Sequence, residues 1–122
     1  MKPTSIKDNY LSANLQKTIE KQLKLFYFNA FKRRSKNLLT LELIKECYND
    51  QINFFENYIN DLLLKYDKGF EKNDVLNDLF DLKKIEGCNK KILQTLIIDL
   101  KERYNNFDIS SSELKLLLFF EE

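Results

Sequence analysis

Between Leu41 and Tyr66 an apolar side chain returns every three or four residues: Leu41, Ile44, Tyr48, Ile52, Phe55, Ile59, Leu62 and Tyr66. That spacing lines one face of an α-helix. Neither Gly nor Pro interrupts it. At ~1.5 Å per residue it predicts a rod of roughly 39 Å, long for a small domain. A helix of that length with one apolar face needs partners along most of it, so the remaining segments read as those partners.

The chain has 122 residues, which is the size of one domain, 1–122, and enough to bury a core. Two Gly and one Pro leave few turns and long elements. Leu15, Ile19, Leu23, Phe26 and Ala30 form a helical stripe, with Tyr27 and Phe31 beside it, and predict a first helix over about 12–34. The short connection 35–39 makes this helix an antiparallel neighbour of the rod. Thr40 is the expected N-cap of the rod, and Gly69 its expected stop. A third helix is expected over about 74–85, capped by Asn73 or Asp74, with Val75, Leu76, Leu79, Phe80 and Leu82 facing the core. Gly87 ends it. Asn89 then caps a fourth helix, about 90–105, whose stripe is Leu93, Leu96, Ile97, Leu100 and Tyr104. Ser110 and Glu113 have the spacing of a capping box and open a short fifth helix, Leu114 to about Phe120. Its LKLLLFF segment is apolar on nearly all sides, and is read as a plug for the core or for an interface. The predicted fold is all-α: an antiparallel helical bundle of four main helices plus a short C-terminal helix.

Composition removes several chemistries. The chain has no His. That excludes Ser-His and Cys-His nucleophile pairs, the usual zinc ligand sets and the Glu-x-x-His pairs of di-iron bundles. No Gly-rich phosphate loop, Walker-type lysine or paired-carboxylate motif stands out. Cys88 precedes a helix start, where a thiol can be activated, but no base accompanies it, so it reads as a turn residue. Cys47 and Cys88 are expected as two buried or half-buried thiols in a reducing compartment. No apolar run is long enough to span a bilayer and the N-terminus lacks a signal-peptide core, so a cytoplasmic location is expected. Neither an enzyme nor a cofactor or metal is expected.

Charge is segregated beneath a net value of +1. Residues 1–36 carry nine Lys or Arg and two acids, residues 37–82 carry four Lys and ten acids, and the remainder is balanced with seven of each. Four features follow. The block from Leu23 to Phe31 is too apolar for a single helix face, so α-helical packing on two sides or an exposed partner patch is expected. The basic run Lys32, Arg33, Arg34 and Lys36 complements the negative end of the first helix. It is also a possible contact for phosphate or an acidic partner, with Lys17, Lys21 and Lys24 on one face upstream. Pairing between the two halves of opposite charge would neutralise much of both. On the back of the rod, Glu42, Glu46, Asp50, Asn53, Glu56, Asn57 and Asn60 make an acid-and-amide stripe, a solvated face or a contact surface for a basic protein. Finally, a hairpin of two helices around Gly87 with Lys90-Lys91 beyond it has the outline of a helix-turn-helix, although Lys83 stands where close helix packing favours a small residue.

In size, helical build, lack of catalytic groups and abundance of Asn, Lys, Ile, Leu, Phe and Tyr, the residues of AT-rich coding, the chain is similar to immunity, antitoxin and anti-defence inhibitors, the small proteins of phages and mobile elements. The expectation is a non-enzymatic protein-binding inhibitor that occludes a partner's functional surface, the partner being a basic nuclease or toxin. Two alternatives remain open: a nucleic-acid-binding, helix-turn-helix-like regulator, and a structural subunit of a homodimer or larger homo-oligomer.

Overall fold

The computed structural model describes residues 11–34 and 38–121, with side chains over 11–29 and 41–121. Five helices follow in chain order: α1 (Ala13–Arg34), α2 (Leu38–Asp67), α3 (Lys72–Lys83), α4 (Lys90–Arg103) and α5 (Ser111–Leu117). No strand occurs among the described residues. The architecture is the expected all-α bundle, four main helices and a short fifth, with α1 packed between α2 and α4.

Helix α2 is the spine, 30 residues long, or ~45 Å. Its C-terminal half buries Phe55, Ile59, Leu63 and Tyr66. They share one core with Leu15, Ile19, Leu23 and Tyr27 of α1, Leu79 and Leu82 of α3, and Ile92, Leu93, Leu96 and Leu100 of α4. Leu63 rather than Leu62 occupies the buried line, because the end of α4 packs on that flank of α2. There the Tyr104 ring meets Tyr66 edge-on, and its hydroxyl lies 2.7 Å from Asp67 Oδ1 and 3.2 Å from the Leu63 carbonyl.

The N-terminal half of α2 departs from the expectation of cover along most of the rod. Leu41, Ile44, Tyr48 and Ile52 are only half-buried. The α3–α4 connection reaches no further than Gln51, whose Nε2 donates to the Glu86 carbonyl at 2.7 Å. Beyond that level α2 is held by α1: Tyr48 donates to the Glu20 carbonyl at 3.3 Å, and its ring stacks on Phe28 with centroids 6.4 Å apart. Helix α1 is flanked on two sides, yet Leu25 and Phe26 of its aromatic block remain 49% and 42% exposed.

Side-chain caps mark the starts of α4 and α5. Asn89 accepts from the Ile92 amide, and Ser110 and Glu113 complete the reciprocal capping box. Two expected caps fall inside helices. Thr40 lies within α2, which starts at Leu38; the two preceding leucines are strong helix formers and extend it. Asn73 and Asp74 lie within α3, whose N-cap Glu71 makes no side-chain cap bond. The Lys72–Glu113 ion pair, 3.0 Å, fixes that first helical residue instead. Gly87 turns the chain into α4 at φ +92°, so close to α1 that a Cβ there would lie 2.5 Å from Leu23 Cδ2.

Both cysteines are free, Cys88 half-buried and Cys47 exposed, so Cys47 corrects the expectation of two sheltered thiols. No helix among the described residues is long and apolar enough to cross a membrane.

Candidate functional site

The acid-and-amide stripe of α2 survives as a surface over most of its length. Glu42, Glu46, Asp50, Asn53 and Asn57 are exposed. From Glu42 to Asn57, fifteen helical rises apart, they form a ridge of roughly 22 Å. Its last turn differs from the expectation. Glu56 is half-buried, and Asn60 is 4% exposed, so Asn60 belongs to the core and not to a contact face. Its Oδ1 accepts no hydrogen bond among the described residues.

Glu42, Glu46 and Asp50 form no ion pair among the described residues. Ion pairs lie elsewhere, Lys65–Asp78 at 2.9 Å between α2 and α3, and Lys72–Glu113 between α3 and α5. Pairing of this stripe with the basic run Lys32, Arg33, Arg34 and Lys36, which charge segregation suggests, concerns side chains outside the described residues.

An apolar edge runs beside this ridge. Leu43, Cys47, Asp50 and Phe54 succeed one another at steps of four, three and four, which aligns them on α2. Leu43 is 54% and Phe54 46% exposed, and Cys47 is exposed. Phe54 is braced by the Phe55 and Tyr58 rings, with centroids at 6.4 and 5.9 Å. The sequence reading missed these residues because it followed the stronger stripe of the core; their own helical spacing was the available signal.

On the other side of α1 lies a surface of opposite sign. Lys17 and Lys21 of α1 and Lys91 of α4 line a groove of about 400 Å³. Its remaining lining is neutral and hydrogen-bonding: Asn14, Thr18 and Gln22 from α1, Gln94 and Thr95 from α4. Lys24 does not join it; its ammonium lies 5.8 Å from the Phe28 ring centroid. Lys36 and the side chains of Lys32, Arg33 and Arg34 lie outside the described residues.

The remaining polar constellations hold structure together. Asp78 Oδ2 accepts from Lys65 at 2.9 Å and from the Tyr66 hydroxyl at 2.7 Å. Burial, and then this bond to a carboxylate, push the Tyr66 hydroxyl far above its ordinary range. Burial pushes the Cys88 thiol up to about 12, so it is a poor nucleophile at neutral pH. Among the described residues no group of three or more Cys, Asp or Glu is placed to hold a metal ion. Lys83, the expected obstacle to a helix-turn-helix, lies between the Phe80 and Phe120 rings and donates to the Leu116 carbonyl at 3.0 Å. In the terminal segment Leu117 plugs the core, while Leu116 and Phe119 are 64% and 63% exposed.

Compared with protein-family models, with curated proteins and with solved structures, the chain matches none.

Proposed function

We propose that the protein is a non-enzymatic binding protein that occludes a cationic functional surface on a protein partner with the outer face of α2. The observation that carries this reading is the ridge of Glu42, Glu46, Asp50, Asn53 and Asn57 beside Leu43 and Phe54, its three acids unpaired among the described residues. Carboxylates along a rigid helix attract a basic surface from a distance and set the register of docking. Leu43 and Phe54 supply what charge does not, an apolar anchor of the kind that dominates binding energy at interface centres. A surface that itself binds phosphates, as in a nuclease or nucleic-acid-directed toxin, has the complementary sign. The inhibitor, immunity or antitoxin role and the origin in a phage or mobile element are parts of this proposal. A cytoplasmic setting fits its two free thiols.

The test is parallel capture from extract of the native cell with the wild-type protein and with E42K/E46K/D50K. All three positions are exposed, so the reversal leaves the core alone. The reading expects a basic protein retained by the wild type and lost with the variant. A partner retained equally by both proteins refutes the α2 contact.

A further inference from the structure

We infer that the groove between α1 and α4 is a second binding site, one that takes the phosphate backbone of a nucleic acid through Lys17, Lys21 and Lys91. Cations from two separate helices converge on it, and no carboxylate lines it. None of the three lysines makes an ion pair among the described residues, and the Glu20 carboxylate borders the neighbouring depression on the α2 side of Lys17 and Lys21. The neutral lining offers amides and hydroxyls, the side chains that hydrogen-bond phosphate and sugar oxygens. No aromatic side chain lines the groove. Base stacking is therefore absent, and the ligand is gripped by its backbone without regard to sequence.

Spacing supports the same ligand. Lys17 and Lys21 are one helical turn apart, ~6 Å along the axis, comparable to the separation of neighbouring phosphates along a strand. Lys91 lies in the first turn of α4, a helix of 14 residues whose positive end adds to the cationic field. The walls are fixed before any ligand arrives. Asn89, the N-cap of α4, donates from Nδ2 to Gln22 Oε1 of α1 at 2.9 Å, and beneath the groove Ile19 and Leu23 belong to one core with Leu93 and Leu96. The site lies on α1 and α4, away from the acid ridge, so it stands or falls separately from the protein-binding proposal.

Fluorescence polarisation with a labelled 20-mer oligodeoxythymidine and a 20-bp DNA duplex tests it on the full chain. Three phosphate contacts predict binding at about 50 mM salt that weakens with a log–log slope of about 2–3. Each of K17Q, K21Q and K91Q should lower that slope by about one and weaken both oligonucleotides alike. The triple variant should abolish binding, whereas K32Q/R33Q/R34Q, which removes as much charge from the end of α1, should retain most of it. Absence of wild-type binding, equal loss in the two triple variants, or competition by polyglutamate as strong as by unlabelled oligonucleotide would each overturn the site. Circular dichroism of the variants keeps a folding defect from posing as lost binding.

Discussion

Gly87 brings the α3–α4 turn hard against Leu23 of α1 and yields the sharpest prediction. At φ +92° an L-residue costs about 1–2 kcal/mol. The Cβ of Gly87→Ala would also sit 2.5 Å from Leu23 Cδ2, on a side chain with 0% exposure, which has nowhere to move. Overpacking of that kind adds about 1–3 kcal/mol, for a total of roughly 2–5. The two terms separate experimentally. Gly69→Ala at φ +127° meets nothing within 4 Å, so it reports backbone cost without a clash. Leu23→Val removes the offending atom at its own cost of about 0.5–1.5 kcal/mol. In urea unfolding, with an m-value of about 1–3 kcal/mol/M, the steric part alone should lower the midpoint by about 1 M. Gly87→Ala should therefore be markedly milder in the L23V background, a coupling read directly from the double-mutant cycle. An equal penalty in both backgrounds would refute the packing of the α3–α4 turn on α1.

Asn60→Leu should raise the urea midpoint by the equivalent of about 1–3 kcal/mol, because it removes a buried acceptor that has no partner among the described residues; a lowered midpoint would show that the amide is satisfied in solution. Tyr66 and Tyr104 are both raised, by burial first and then by hydrogen bonds to Asp78 and Asp67. A raised folded-state value contributes stability that is complete below the unfolded phenol's pKa of about 10 and is lost as pH climbs through the folded value. Phenolate absorbance should show these two tyrosines ionising only together with alkaline loss of helicity; ionisation of all six near pH 10 in a folded protein contradicts this. Glu113 is lowered by the Ser110 backbone amide and then by Lys72. Its contribution is present above the unfolded carboxyl's pKa and disappears as pH falls through the folded one, so its NMR titration midpoint should lie below about 4.3 and rise in K72Q.

Local chemistry made much of the fold legible in the sequence. Asn89 and the Ser110–Glu113 box mark helix starts with side-chain hydrogen bonds between near neighbours. Such signals need no tertiary context. The start of α3 carries no such local signal: its first residue, Lys72, pairs with Glu113, far along the chain. The stripe of α2 was read correctly as helical, but its burial depended on how far α3 and α4 extend beside it, which periodicity does not encode. Asn60 shows the same limit: it has the helical phase of the outer ridge, yet lies buried. The cationic groove was half visible, since Lys17 and Lys21 share a helix face, but Lys91 joins them only through the packing of α4 on α1.

Binding of a basic protein surface by the outer face of α2 is the proposed activity. It is tested most directly by titrating the partner captured with the wild-type protein, once purified, with wild type and with E42K/E46K/D50K across a salt series. Wild-type affinity should fall as salt rises, and charge reversal should cost at least about tenfold, a loss that shrinks at high salt. Equal affinities for the two proteins at every salt concentration would contradict it.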